Sequence, residues 1–235
     1  MSISPKVANA SQPRDQLFAP APGTPAADQR LAARRLLVVG AGQRSGGREG
    51  AVGNGRAMAV LFARAGAEVV CADRDLAAAE ETCRWIRSEQ GIAYAVQADV
   101  SDVSAIPGLV HESRRLLGCL DGLVVNVGVT TPHGLVAETP SNWDHVMGIN
   151  LKAPMFCVQA AMKCMDPGAS IVLIGSTAGL HPRGRMPAYE ASKAALESLA
   201  RSAALAGQEK GIRCNVLAPG IIDTPLGRQE ESEKP

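Results

Sequence analysis

Short apolar runs alternate with longer amphipathic patterns along most of this 235-residue chain, and the alternation restricts the possible folds more than any other feature. The apolar runs have the length of buried strands and are bounded by glycine or polar residues. Strands are predicted at residues 36–39, 68–72, 93–98, 122–126, 170–174 and 213–217. Helices are predicted at residues 55–65, 76–89, 103–117, 141–163 and 187–207. This order predicts an α/β fold, a doubly wound, Rossmann-like parallel sheet of about six strands with helices on both faces.

The composition sets the domain organisation and excludes several partners. Residues 1–33 are rich in proline and lack apolar periodicity, so we predict a flexible extension before a single domain at residues 34–235. Lys and Arg (24) balance Asp and Glu (23), and no basic run indicates nucleic acid or a membrane as a partner. The six cysteines lack metal-ligand spacing, and the N-terminus lacks the apolar core of a signal peptide. We therefore expect a cytoplasmic protein without a metal site.

Glycines follow the first predicted strand and begin the first predicted helix. Gly40 and Gly42 allow a tight turn after the strand, whereas Gly53 and Gly55 allow the helix N-terminus to approach a pyrophosphate. Residues 43–52 separate the two pairs. We interpret the turn as a dinucleotide-binding turn that carries an inserted loop, because a flexible loop of this length adds little closure entropy.

An acidic residue at the end of the second predicted strand favours one cofactor. The carboxylate of Asp73 can accept hydrogen bonds from the adenosine ribose hydroxyls and would repel a 2′-phosphate, so NAD is expected as the cofactor. Two alternatives stay open. Asp73 can instead cap the following helix, and NADP remains possible because Arg44, Arg48 or Arg74 could contact a 2′-phosphate.

A tyrosine and a lysine lie four residues apart in the segment YEASK, near the start of a predicted helix. This spacing places Tyr189 and Lys193 on one helix face. A nearby ammonium stabilises phenolate and lowers a phenol pKa that starts near ~10, which suits acid–base chemistry. An apolar strand ends before Ser176 in IVLIGSTAG, and Asn150 lies within the helical segment INLKAP. Taken singly, Ser176 could cap a loop and Asn150 could bond a helix backbone.

Together these segments resemble the short-chain dehydrogenase/reductase family, and the resemblance extends over residues 36–226. It includes the segments ADVSD, VNVG and PGIIDTP. The resemblance implies that Asp99 and Val100 contact adenine and that Asn126 steadies the central strand. The segment that contains Pro219, Gly220 and Thr224 would contact the nicotinamide end of the cofactor. Gly128 in VNVG is the remaining cofactor-binding position.

The resemblance also implies an activity, the interconversion of a secondary alcohol and a ketone by NAD(P)-dependent hydride transfer. Tyr189 would exchange a proton with the substrate oxygen, and Ser176 would hold that oxygen. Lys193 would bind the nicotinamide ribose and assist Tyr189, and Asn150 would hold a water in a proton relay. A homo-oligomer, a dimer or a tetramer, is implied through the helices at residues 141–163 and 187–207.

The sequence departs from the family pattern at three places. The turn carries the inserted residues 43–52, Val39 and the segment VNVG differ from the usual residues, and the chain continues only to Pro235 after Gly220. We therefore expect the usual C-terminal helix segment and last strand to be lacking, and an alternative function is a dinucleotide-binding module with little or no turnover. A phosphate-transferring NTPase is excluded because no Lys-Ser or Lys-Thr follows the glycines at P-loop spacing.

Overall fold

The computed structural model describes residues 29–43, 51–131 and 134–224, which form a parallel sheet and its flanking helices. The strands are β1 Arg35–Val39, β2 Glu68–Asp73, β3 Ala93–Gln97, β4 Gly122–Val125, β5 Ser170–Ile174 and β6 Arg213–Leu217. The helices are α1 Asn54–Arg64, α2 Leu76–Ser88, α3 Ile106–Leu117, α4 Gly134–Ala137, α5 Pro140–Met147, α6 Ala153–Met162, α7 Thr177–Leu180 and α8 Pro187–Ala206. Most of the predicted N-terminal extension lies outside the described residues.

The sheet confirms the predicted fold class. Its order is β3-β2-β1-β4-β5-β6, and every neighbouring pair is parallel. The order reverses between β1 and β4, which pair from Leu36 with Gly122 to Val39 with Val125. Ligands of such sheets bind beyond the carboxyl ends of the strands, at this switch point. The residues that follow β1 and β4 are therefore the ones to examine.

Two layers of apolar side chains hold the helices to the two faces of the sheet. Leu37 on β1 belongs to the layer that includes Ile106 of α3 and Leu196 of α8. The neighbouring residue Val38 belongs to the other layer, with Val60 of α1. Successive side chains of a strand point to opposite faces, so a strand buried on both sides is apolar throughout.

None of the helices among the described residues has the length and apolar character that a membrane crossing needs.

The helix predicted at residues 141–163 is confirmed in extent, but it is not α-helical throughout. The segment consists of α5, a π-helical turn at Gly148–Lys152 and then α6. Pro154 lies in the first turn of α6 and has no N–H, so it cannot donate the α-helical hydrogen bond to the carbonyl of Asn150. The hydrogen-bond pattern widens around Asn150 instead. The short helices α4 and α7 were also not predicted.

Candidate active site

The glycine turn after β1 packs directly against the first turn of α1. Gly40 has a φ of +80°, which a side chain would disfavour. A Cβ added at Gly55 would lie 1.8 Å from the carbonyl oxygen of Gly40. The same carbonyl accepts a hydrogen bond from Asn126 Nδ2 at 3.0 Å. The end of β1, the start of α1 and the residue after β4 thus meet at one backbone carbonyl.

Asp73 lies at the end of β2, beside the same turn. Its Oδ2 accepts a hydrogen bond from the N–H of Gly42 at 2.8 Å, and its Oδ1 accepts one from the N–H of Asp75 at 3.1 Å. The helix-capping alternative belongs to another residue, because Asp75 accepts hydrogen bonds from the N–H groups of Ala77 and Ala78 at the start of α2. Asp73 keeps the position next to the turn that its predicted ribose-binding role requires.

The two ends of the interrupted turn lie close together. A Cβ added at Gly53 would lie 3.7 Å from the carbonyl oxygen of Gly42. The side-chain amide of Gln43 accepts a hydrogen bond from the N–H of Gly53 at 3.1 Å and donates one to the carbonyl of Ala51 at 3.0 Å. Residues 44–50, and with them Arg44 and Arg48, lie outside the described residues.

A buried arginine and a buried threonine hold the glycine turn after β1 through hydrogen bonds. The sequence-based prediction missed both residues. Arg56 on α1 is 6% exposed, and its Nε donates to Thr82 Oγ1 at 3.1 Å. Its Nη2 contacts Glu81 Oε2 at 2.7 Å. Thr82 Oγ1 donates to the carbonyl of Ala41 at 2.8 Å. The one signal in the sequence was an arginine in the otherwise apolar first turns of a predicted helix.

The predicted adenine-contacting pair is split between surface and core. Asp99 is exposed, and a hydrogen bond from the backbone N–H of Ser101, at 2.9 Å, lowers the pKa of the Asp99 carboxyl. Val100 is 6% exposed and packs into the apolar layer on the α3 face. A cofactor contact at this position would therefore involve the carboxylate of Asp99 and the backbone of Val100.

Lys193 is buried at the centre of the candidate site. Its Nζ donates to the carbonyl of Ile174 at 2.9 Å and to that of Val127 at 3.3 Å. The ammonium lies 5.7 Å from the centroid of the Tyr189 ring, and a Cβ added at Gly128 would lie 3.3 Å from it. Burial lowers the pKa of Lys193 to about 8. The structure thus brings Tyr189, Lys193 and Gly128 together.

Asn150 joins the same cluster through its side chain. It is fully buried, its Oδ1 accepts from the N–H of Val129 at 2.8 Å, and its Nδ2 donates to the carbonyl of Val129 at 2.9 Å. Nδ2 also donates to Ser192 Oγ at 3.2 Å, and Ser192 Oγ donates to the carbonyl of Tyr189 at 2.7 Å. The prediction missed Ser192, although it lies within YEASK. These bonds fix the π-helical turn against the tyrosine helix.

Ser176 follows β5 and begins α7. Its Oγ accepts a hydrogen bond from the N–H of Ala178 at 3.1 Å, so Ser176 does act as a helix cap. A hydroxyl has one donor and two acceptor positions, and the cap uses one acceptor position. The carbonyl of Pro219 accepts from the N–H of Thr177 at 2.9 Å, which places the segment after β6 beside α7. In that segment Gly220 is exposed and Thr224 is buried.

Three potential metal ligands lie before the amino-terminal ends of β4 and β5, at the other end of the strands from the candidate site. One ligand atom from each of Cys119, Asp121 and Asp166 lies within 4.8 Å of the others. Arg35 Nη1 donates to Cys119 Sγ at 3.6 Å, and Arg114 Nη2 lies 3.7 Å from Asp166 Oδ1. The guanidinium groups already supply positive charge, which disfavours a cation at this position.

We expect Gly55→Ala to lower the free energy of unfolding by about 1–3 kcal/mol, because the new Cβ would overlap a backbone carbonyl. Gly108→Ala on α3 is the matched control, since nothing lies within 4 Å of its added Cβ. The control should keep or raise stability, because alanine favours helix over glycine. Urea unfolding measures both variants, and equal effects of the two would contradict the observed packing.

The stability of the wild-type protein should rise with pH relative to Lys193→Met. Burial lowers the pKa of Lys193 from 10.5 to about 8, so between these values the unfolded chain binds a proton that the folded chain lacks. The free energy of unfolding should therefore rise by about 3 kcal/mol between pH 8 and pH 10.5, and this gain is lost as the pH falls back to 8. Urea unfolding of both proteins from pH 7 to 10.5 tests the prediction, and parallel stability curves would contradict it.

The chain is similar in sequence and in fold to known dehydrogenases. The inactive 2-(S)-hydroxypropyl-CoM dehydrogenase 2 of Xanthobacter autotrophicus is 37% identical over 175 residues, which cover 73% of this chain and 75% of that protein. The human (3R)-3-hydroxyacyl-CoA dehydrogenase is 34% identical over 208 residues, which cover 84% and 76% of the two chains. A crystal structure of a protein from Burkholderia xenovorans, provisionally described as a short-chain dehydrogenase/reductase, superposes with a TM-score of 0.81. The two sequences are 34% identical, and the match covers 87% of this chain and 78% of that one. The family model for the short chain dehydrogenases matches residues 49–235, and the chain belongs to this family of oxidoreductases.

Proposed function

We propose that the protein interconverts a secondary alcohol and a ketone with NAD(P), using Tyr189 as the acid and base. The observation that carries the proposal is the buried ammonium of Lys193, held between two strand-end carbonyls and 5.7 Å from the Tyr189 ring centroid. Perturbed titratable groups beside a possible proton donor are typical of catalytic sites. The family to which the chain belongs uses NAD(P).

The residues around the turn fit the pyrophosphate of a dinucleotide. The N-terminus of α1 has no side-chain cap and no acidic residue in its first turn. Backbone N–H groups and the helix dipole at an uncapped N-terminus favour an anion. We assign the pyrophosphate to this helix end, between the glycines that follow β1 and those that begin α1, and the adenosine ribose to Asp73.

The bound cofactor would supply or accept the hydride, while the protein would orient the substrate and move the proton. In ketone reduction Tyr189 gives its phenol proton to the substrate oxygen. Ser176 donates a hydrogen bond to that oxygen, since its hydroxyl proton is not needed for the cap of α7. The positive charge of Lys193, 5.7 Å from the ring centroid, favours the phenolate that remains. Two of its three N–H groups donate to Ile174 and Val127, and the third would donate to the ribose.

Several features implied by the resemblance belong to the same proposal. Asn150 would hold the water of the proton relay, and residues 43–52 would be an insertion in the sequence of the dinucleotide-binding turn. The Pro219–Thr224 region would meet the nicotinamide, and two copies would associate through the outer faces of α5, α6 and α8. The partially exposed Trp143 and Met155 lie on two of these helices and support that arrangement. A reducing, cytoplasmic location and a small-molecule alcohol or ketone substrate complete the proposal.

Tyr189→Phe should lower turnover by at least about 100-fold, because it removes the proton donor while keeping the ring. NAD affinity should stay within a few-fold of wild type. Tyr94→Phe is a matched control, since Tyr94 is the second of the two tyrosines and packs against the core on β3. The assay follows reduced nicotinamide absorbance over a panel of secondary alcohols and ketones that includes 3-hydroxyacyl-CoA, because the human relative is named for it. Most activity remaining in Tyr189→Phe would remove the proposed mechanism.

NAD should stabilise the protein against heat more than NADP does at equal concentration, because the Asp73 carboxylate would repel a 2′-phosphate. Asp73→Asn should reduce this difference, since the amide can still accept from the N–H of Gly42 but has no charge. Asp75→Asn is the matched control, because asparagine also caps helices well. A larger thermal shift with NADP in the wild-type protein would show that an arginine beside the turn outweighs Asp73.

A further inference from the structure

Glu190 is a buried carboxylate that neither the fold nor the proposed chemistry explains. It lies in the first turn of α8, directly after Tyr189, and is 7% exposed. Acidic residues in the first turn of a helix are usually exposed and act on the helix dipole. In the part of the chain that the structure describes, no arginine or lysine forms an ion pair with Glu190. Its charge must therefore be stabilised by other contacts.

Those contacts come from the 181–186 loop, which joins α7 to α8. Glu190 Oε1 accepts from the N–H of Arg183 at 2.9 Å, and Oε2 accepts from the N–H of Gly184 at 3.3 Å. The N–H of Glu190 also donates to the carbonyl of Met186 at 2.8 Å. Hydrogen bonds to an ionised acceptor are stronger than neutral ones. Glu190 thus binds the middle of the loop to the first turn of α8, which carries Tyr189.

The other side of the 181–186 loop is fastened to the segment after β4. The N–H of Gly134, at the start of α4, donates to the carbonyl of Arg185 at 2.9 Å. Thr130 Oγ1 is in contact with Met186 Sδ. The loop therefore links α7, which begins after Ser176, to the segment that leaves β4 at the switch point. Because the loop joins the helix after Ser176 to the helix that carries Tyr189, it borders the proposed substrate site.

We propose that Glu190 is a positioning residue that holds the 181–186 loop in the shape that binds the substrate. The proposal rests on the proposed oxidoreductase function. It assigns Glu190 no contact with substrate or cofactor: the carboxylate acts through two backbone N–H groups, so it sets substrate affinity and leaves the proton transfer to Tyr189. The carboxylate restricts the conformations of the loop before the substrate binds, so less conformational entropy is lost on binding.

The variants Glu190→Gln and Glu197→Gln separate this role from a general effect on α8. Glutamine has the same shape but offers one acceptor oxygen, and its NH₂ would face a backbone donor. Glu197 undergoes the same chemical change on the same helix, where it forms a surface ion pair with Arg201 at 3.9 Å. We expect Glu190→Gln to raise the substrate KM about tenfold, with kcat within about threefold of wild type. NAD affinity should not change, and Glu197→Gln should resemble the wild type.

Trypsin reports on the loop without any turnover, because it cleaves after the exposed Arg183 and Arg185. We expect both bonds to be cut several times faster in Glu190→Gln than in Glu197→Gln, as mapped by mass spectrometry of the full chain. Thr130→Val, which removes the hydroxyl on the other side of the loop, should raise KM in the same direction by a smaller factor. This second variant keeps the test decisive if Glu190→Gln does not fold.

The outcomes distinguish the two proposals. An unchanged KM and unchanged cleavage in folded Glu190→Gln, or a large loss of kcat at constant KM, would overturn the positioning role. If Glu190→Gln does not fold, an unchanged KM in Thr130→Val would overturn it too. Full activity of Tyr189→Phe would overturn the proposed role of Tyr189 and leave the loop result standing. Absence of turnover by the wild-type protein over the whole substrate panel would overturn the proposed function, and the trypsin result would still test the loop. A tenfold rise in KM together with faster cleavage at Arg183 and Arg185 would establish the role of Glu190.

Discussion

The buried ammonium of Lys193 is the interaction on which the candidate site depends. Taking a charge out of water costs several kcal/mol unless hydrogen bonds compensate for it. Here the carbonyls of Ile174 and Val127 compensate, and both lie where neighbouring strands have just ended. Such carbonyls are available because a parallel ladder stops there and the chain turns away. The sheet thus supplies the acceptors that allow a lysine to be buried beside a tyrosine.

Much of the fold could be predicted because strands buried on both faces leave a simple sequence pattern. The observed strands agree with the predicted ones to within a residue at each end. The helix predicted at residues 141–163 forms, but its π-helical turn was not predicted, and the reason is local. Its apolar pattern continues through the π-helical turn, and only Pro154 and Gly148 indicate a break. Periodicity over a long window cannot register a single widened turn.

The candidate site could be predicted by residue type but not by contact. Tyr189, Lys193 and Asn150 were predicted to share a site, and the structure brings them together through Gly128 and Ser192. The side chains that support the glycine turn after β1 were not predicted, because their partners lie far away in the sequence. Arg56 and Thr82 are 26 residues apart, and no local pattern relates the two. Spacing identifies residues on one helix face, whereas contacts between elements require the folded chain.

Ser176 shows why a structural role and a chemical role need not exclude each other. The sequence left open whether this serine caps a loop or holds a substrate oxygen, and the hydrogen bond from Ala178 establishes the first role. That bond uses a lone pair of Oγ, so the hydroxyl proton can still be donated. It also holds the side chain in one orientation, and the N–H of Thr177 is held by the carbonyl of Pro219. The cap therefore reduces the freedom that the hydroxyl would lose on binding a substrate, which makes Ser176 a better hydrogen-bond donor.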